Sequence, residues 1–94
     1  MATPPPHYLS FCSPVNDKST QGLLAACANL ASKHVDEVVL LLSSPGGGVS
    51  HGITLYNVLK GMPFKLTTFN VGSVDSIGNV IFMAGEKRYA VPNS

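Results

Sequence analysis

Apolar residues along the chain alternate between short runs typical of strands and longer stripes with helical spacing. The short runs predict four strands, over residues 8–12, 35–43, 65–71 and 87–91. The stripes between them predict three helices, over residues 18–33, 50–60 and 76–84. The resulting order, β-α-β-α-β-α-β, is typical of an α/β fold with a mostly parallel sheet and right-handed crossovers.

The second predicted strand carries an uninterrupted aliphatic run, Val38 to Leu42. A strand that is apolar on both faces is typical of a central parallel strand, so we expect helices above and below the sheet. The 94 residues show no repeat and no linker, which predicts one domain over residues 1–94. The Pro-rich residues 1–6 are predicted to form an extended lead.

Composition narrows the class of protein. Hydrophobic residues make up 45% of the chain and charged residues 12%, with a formal net charge of +1. This composition argues against intrinsic disorder. The chain also lacks the large excess of basic residues that is typical of proteins that bind a nucleic acid or a membrane surface. The aliphatic run is far too short to span a bilayer, and the first residues do not resemble a signal peptide, so we expect a cytoplasmic protein.

The two cysteines, Cys12 and Cys27, form no C-x-x-C pattern. They are predicted to be two buried free thiols, not zinc ligands or a redox pair. No other spacing suggests a metal site or a cofactor, and none is predicted.

In parallel sheets, sites form where strands end and helices begin, which singles out the turns at 45–48 and 72–76. The first turn contains Gly46, Gly47 and Gly48, which can bring backbone N–H groups close to a ligand. A phosphate loop would need a lysine after the glycines, and a dinucleotide motif would need glycine in place of His51. Two alternatives remain, a simple tight turn or a set of donors for an oxyanion.

The second turn places Ser76 where the third predicted strand passes into a helix. Its hydroxyl could be a nucleophile displayed at the end of a strand, or it could cap the helix. The G-x-S-x-G elbow of lipases is not matched, because Val74 occupies its first glycine position. The spacing of the residues alone favours a helix-capping role for Ser76.

Three motifs in order resemble those of a known family. Ser44-Pro45-Gly46-Gly47 is similar to the S-P-G-G motif of Clp protease proteolytic subunits. Residues 72–78 resemble the nucleophile segment of that family, G-x-A-A-S-M-G, and residues 87–94 resemble its K-R-x-x-x-P-N-S strand. The resemblance covers roughly residues 8–94 and implies the ClpP/crotonase fold. It also implies that these residues are the N-terminal portion of such a domain, so that the fold is partial and truncated at its C-terminal side.

The resemblance also implies a function. It makes Ser76 the nucleophile of a serine endopeptidase and gives the backbone N–H groups of Gly47 and Ile77 the role of oxyanion hole. It further implies peptides or unfolded proteins as substrates, a homo-oligomeric ring, and an ATPase unfoldase as a candidate partner.

The chain departs from the family pattern beside Ser76, where Val74 and Asp75 replace two alanines and Ile77 replaces a methionine. The Asp75 carboxylate would oppose a developing oxyanion if it pointed inward, or it could point away and bond the backbone. The resemblance places the catalytic histidine a few residues beyond the P-N-S motif and the aspartate much further on. Little or no turnover is therefore expected of these 94 residues alone.

The histidines within the chain offer no clear replacement for the missing base. His51 follows the glycine turn, His7 directly follows the Pro-rich lead, and His34 directly follows the first predicted helix. All three are predicted to be solvated surface residues. Two alternatives to a peptidase remain: a non-catalytic assembly or regulatory subunit, and a crotonase-like acyl-CoA enzyme, against which the S-P-G-G turn and Ser76 argue.

Overall fold

The structure is a computed structural model that describes residues 4–92. Its strands and helices alternate along the chain in the predicted order: β1 (His7–Cys12), α1 (Asp17–Ser32), β2 (Glu37–Ser44), α2 (Val49–Gly61), β3 (Lys65–Val74), α3 (Gly78–Phe82) and β4 (Lys87–Ala90). The first three residues of the predicted lead and the last two of the P-N-S motif lie outside the described residues.

The four strands form one parallel sheet in the order β1-β2-β3-β4. Leu40 of β2 is paired with Leu9 of β1 on one side and with Thr68 of β3 on the other. Each connection moves one strand in the same direction across the sheet. Right-handed crossovers in such an order carry every helix to the same face. The predicted α/β class with a mostly parallel sheet is confirmed.

The core lies on the helical face of the sheet. Val38, Leu40 and Leu42 of β2 are buried there, and residues of all three helices join them in one cluster. Val39 and Leu41, which point to the opposite face, are only partly buried and lie outside that cluster. The expectation of helices on both faces is therefore wrong, because the monotonic strand order leaves the second face without a helical layer.

The second face of the sheet is open and largely apolar, and we call it the open face. It is lined by Tyr8, Val39, Leu41, Thr67, Phe69, Lys87 and Tyr89. Tyr8 is 64% exposed and Tyr89 is 52% exposed, which is unusual for aromatic side chains on a sheet. The rings of Phe69 and Tyr89 contact each other across β3 and β4 with centroids 6.1 Å apart.

Local signals fix both ends of α1. Asn16 accepts a hydrogen bond from the Ser19 N–H (2.8 Å), and the Ser19 hydroxyl accepts one from the Asn16 N–H (3.0 Å), a capping box. At the other end, His34 adopts φ 57°. The N–H of Val35 bonds the carbonyl of Leu30 and the N–H of His34 bonds that of Ala31, as in a Schellman motif.

Strand β3 is longer than predicted, and this moves the second turn. Leu42 pairs with Asn70, but Ser44 pairs with Val74, so three residues of β3 lie opposite the single residue Ser43. The Ser43 hydroxyl bonds both the carbonyl and the N–H of Ser73, at 3.2 and 3.3 Å, and so supports this bulge. The predicted turn at 72–76 is reduced to residues 75–77.

The two cysteines differ in their surroundings. Cys27 is 1% exposed in the core, as expected, whereas Cys12 is exposed at the end of β1. The prediction that both are buried is therefore wrong for Cys12, which lies on the side of the edge strand that no helix covers. No helix within residues 4–92 has the length and apolar character needed to cross a membrane.

Candidate functional site

Two turns meet at the carboxyl ends of neighbouring strands. The glycine turn, residues 45–48, joins β2 to α2, and the serine turn, residues 75–77, joins β3 to α3. The last pair of the β2–β3 ladder is Ser44 with Val74, and the Asp75 N–H continues it by donating to the Ser44 carbonyl at 2.9 Å. The parallel pairing thus brings together two segments that lie about thirty residues apart in the sequence.

The glycine turn has a backbone that only glycine adopts readily. Gly46 has φ 98° and Gly47 has φ 148°. A β-carbon at Gly47 would collide with the Val15 carbonyl oxygen. Glycine is therefore required at this position by conformation and by space.

Val15 holds the glycine turn through a short parallel bridge. Its N–H donates to the Gly46 carbonyl and its carbonyl accepts from the Gly48 N–H, both at 2.8 Å. Because Val15 bonds the residues on either side of Gly47, the N–H of Gly47 itself is directed away from Val15. In the part of the chain that the structure describes, neither this N–H nor that of Ile77 has a hydrogen-bond partner.

Ser76 occupies a strained position on the serine turn. It is exposed and has φ 54°, which a residue with a side chain adopts only at a cost of about 1–2 kcal/mol. The turn is held by bonds from the Gly78 N–H to the Asp75 carbonyl and from the Asn79 N–H to the Ser76 carbonyl, both 3.0 Å. These bonds therefore maintain the strained backbone of Ser76.

The Ser76 hydroxyl does not cap α3. The N-cap position of this helix is Ile77, which has no side-chain cap, and the Ser76 hydroxyl forms no hydrogen bond within residues 4–92. The interpretation that spacing favoured is therefore wrong. The turn has the left-handed serine of a nucleophile elbow although Val74 stands in place of the first glycine; Gly78 supplies the second.

Ser76 lies directly against the glycine turn. A β-carbon built at Gly46 would be 2.7 Å from the Ser76 β-carbon and 3.4 Å from its Oγ. The structure thus places the predicted nucleophile beside the glycine turn that contains Gly47, while Ile77, the third predicted site residue, follows it in the chain.

Asp75 and His51 flank the two turns. The Asp75 carboxylate is exposed and accepts a hydrogen bond from the Ser73 hydroxyl at 3.4 Å, so it turns back toward β3 instead of bonding the backbone. His51 is partly buried beside Gly48, where an added β-carbon would lie 3.0 Å from its Cδ2. No hydrogen bond joins His51 to Ser76 among the described residues.

Two residues that shape this site, Ser44 and Val15, were not predicted from the sequence to do so. Ser44 is 1% exposed, and its hydroxyl accepts a hydrogen bond from the Gly46 N–H at 3.1 Å. Its position before a proline and a glycine was the available signal, since serine often bonds backbone two residues ahead. Val15 gives no such signal, because its contact with the glycine turn is long-range and made by its backbone. Residues 4–92 contain no group of three side chains suited to hold a metal ion.

Comparison with known proteins agrees with this fold. ClpP1 from Listeria monocytogenes superposes with a TM-score of 0.88 at 24% identity, over 92% of this chain and 52% of that chain. A mutant of the Listeria protein gives a TM-score of 0.89 at 24% identity, over 93% and 52%. The ClpP protease catalytic domain from Plasmodium falciparum gives 0.88 at 22% identity, over 93% and 51%. These likenesses define the fold.

The family model for Clp protease matches residues 7–94, nearly the whole sequence. The chain belongs to the Clp protease family. It spans about half the length of the solved structures to which it is similar.

Proposed function

We propose that this chain carries the nucleophile and the oxyanion hole of a serine endopeptidase. Ser76 is the nucleophile, and the N–H groups of Gly47 and Ile77 bind the oxyanion. The observation that carries the proposal is the free hydroxyl of Ser76, held in a strained turn against Gly46. Membership of the Clp protease family supports the same assignment.

In the proposed reaction the Ser76 oxygen attacks the carbonyl carbon of a peptide, and its proton passes to a base. The carbonyl oxygen becomes an oxyanion, which the two backbone N–H groups stabilise; one such donor is typically worth about 3 kcal/mol. The C–N bond then breaks, the leaving amine takes the proton, and water hydrolyses the acyl-enzyme. No hydrogen bond joins a histidine to Ser76 within residues 4–92, so this proposal assigns the base to none of those residues.

A serine without its base keeps part of its reactivity, since the oxyanion hole and binding still act. The test is therefore phosphonylation of the 94-residue chain by a fluorophosphonate, followed by intact-mass and peptide mass spectrometry. The serine oxygen displaces fluoride, and its proton goes to buffer or to added imidazole. We expect a single slow label on Ser76 that imidazole accelerates.

Two serine variants make this experiment specific. Ser76→Ala removes the nucleophile and should abolish labelling. Ser10→Ala is the matched control, because Ser10 is also an exposed serine and lies on β1, away from both turns. It should label like the unsubstituted chain. Equal labelling of Ser10 and Ser76, or no label even with imidazole, would contradict the proposed nucleophile.

The open face of the sheet favours a second candidate, a non-catalytic assembly subunit. Exposed Tyr8 and Tyr89 flank partly buried Leu41 and Phe69, an apolar surface of the kind found at protein interfaces. This candidate predicts a homo-oligomer, or binding to a longer subunit of the family, without labelling of Ser76. Light scattering after size exclusion tests it. Phe69→Glu should shift the mass toward the monomer, whereas Thr54→Glu, on an exposed position of α2, should not.

A further inference from the structure

We propose that Ser44 is a positioning residue that holds the two turns of the candidate site in register. This inference rests on the proposed function, because it concerns the spacing between the Gly47 N–H and Ser76. Ser44 is 1% exposed and is the last residue of β2. It bonds each turn through a different group.

The Ser44 carbonyl reaches the serine turn. It accepts the Asp75 N–H at 2.9 Å, one residue before the proposed nucleophile. The start of α3 also packs on Ser44, since a β-carbon at Gly78 would lie 3.5 Å from the Ser44 β-carbon. These contacts are made by the backbone and the β-carbon, so they survive replacement of Ser44 by alanine.

The Ser44 hydroxyl reaches the glycine turn. It accepts the Gly46 N–H at 3.1 Å, one residue before the proposed oxyanion donor. Pro45 has no N–H, so the N–H of Gly46 is the first backbone donor after β2 that can form a hydrogen bond. The peptide that it orients precedes the peptide carrying the N–H of Gly47.

Loss of the hydroxyl would leave the buried Gly46 N–H without a partner, and the turn would relax to find one. Val15 still bonds Gly46 and Gly48 from the other side, so the turn should loosen without unfolding. Displacements of about 1 Å at a reacting centre can reduce rates by about 100-fold. Partial loosening should therefore slow the chemical step while leaving the binding of the reagent nearly unchanged.

The experiment compares Ser44→Ala, Ser44→Thr and the matched control Thr68→Val in the full chain. Ser44→Thr keeps a hydroxyl and serves as the rescue variant. Thr68 is a buried threonine whose hydroxyl donates to the Phe82 carbonyl at 2.7 Å, away from both turns. Thr68→Val removes that bond without changing the shape of the side chain, so it reports the effect of a lost buried hydroxyl in general.

Two readouts are measured on each variant. The first is amide hydrogen exchange of Gly46 by NMR, because its buried N–H is the one that the Ser44 hydroxyl protects. The second is the fluorophosphonate reaction, resolved into its limiting rate and its half-saturating concentration. For Ser44→Ala we expect about tenfold faster exchange at Gly46 and a limiting rate lower by about tenfold, with the half-saturating concentration unchanged. Ser44→Thr should restore both, and Thr68→Val should alter neither.

The outcomes separate this inference from the proposed function. Unchanged exchange at Gly46 in Ser44→Ala would overturn the role of Ser44, whatever Ser76 does. Faster exchange with an unchanged limiting rate would also overturn it, since Ser44 would then be merely structural. If the unsubstituted chain is not labelled at all, the proposed function fails, and exchange alone decides whether Ser44 holds the glycine turn.

Discussion

The backbone of Gly46 lies against the side chain of Ser76, with no space between them for a methyl group. A β-carbon at Gly46 would lie 2.7 Å from that of Ser76 and 3.0 Å from the Asp75 carbonyl oxygen. Real β-carbons essentially never approach so closely, and the neighbour here includes backbone. The two turns of the candidate site are therefore packed on each other and not merely close.

Gly46→Ala should separate these turns. The substitution adds strain at φ 98° and a collision with Ser76, so we expect a loss of about 2–4 kcal/mol in the free energy of unfolding. Urea denaturation measures it. Gly22→Ala is the control: Gly22 lies within α1 with nothing within 4 Å, and alanine there should stabilise by about 0.5–1 kcal/mol. Equal stabilities for the two variants would show that the turns do not constrain each other.

Ser76→Gly should be more stable than Ser76→Ala by about 1 kcal/mol, because glycine adopts φ 54° without strain and alanine does not. Both variants lose the hydroxyl, so the pair isolates the backbone conformation. Thermal unfolding should show the glycine variant melting about 4–8 °C higher for a chain of this size. A more stable alanine variant would argue that Ser76 is not held in the left-handed region.

His34→Gly should stabilise the protein by about 1 kcal/mol. His34 is the left-handed residue of the Schellman motif that ends α1, a position where glycine carries no steric penalty. The neighbouring Lys33→Gly is the control, since Lys33 has φ −90° and gains nothing from glycine. Chemical denaturation of both variants checks the prediction, and stabilisation by Lys33→Gly in place of His34→Gly would refute it.

Stability should fall at alkaline pH because of Cys27. Burial raises the pKa of the Cys27 thiol from 9.0 to about 11. Between these values the unfolded chain loses the proton and the folded chain keeps it, so the free energy of unfolding decreases as pH rises from about 9 to 11. Below pH 9 this contribution is complete. A shift of this size corresponds to a loss on the order of 3 kcal/mol.

The pH dependence is measured by urea denaturation across this range for the unsubstituted chain, Cys27→Ala and Cys12→Ala. Other groups titrate in the same pH range, so the contribution of Cys27 is obtained from the difference in pH dependence between the variants. Cys27→Ala should show a shallower decline. Cys12→Ala should follow the unsubstituted chain, because Cys12 is exposed. Identical slopes for all three would contradict the buried thiol.

Much of the fold could be predicted from local patterns. The apolar runs and stripes identify every strand and helix, and the parallel order follows from their alternation. Whether helices pack on one face of the sheet or on both could not be predicted in this way. Val39 and Leu41 are as apolar as their buried neighbours, so the pattern of β2 does not reveal that one face lacks helices. Strand order decides that, and strand order is a long-range property.

The candidate site, too, could be predicted only in part from the sequence. Gly47 and Ser76 could be selected from the sequence because glycine runs and strand-end serines have local signatures. The bulge that extends β3 to Val74 had no signature, since it depends on pairing with Ser43 and Ser44. The predicted turn was accordingly placed too early, and the helix cap was favoured over a free hydroxyl.

The sequence by itself determined the elements, their order and the residues that could do chemistry, because these depend on side-chain type and near neighbours. Only the tertiary structure decided that Ser76 lies against Gly46, that its hydroxyl is unbonded, and that Ser44 bonds both turns. Those facts depend on the register between β2 and β3 and on the bridge from Val15. Register is set by the packing of the whole sheet, so no local stretch of the sequence contains it.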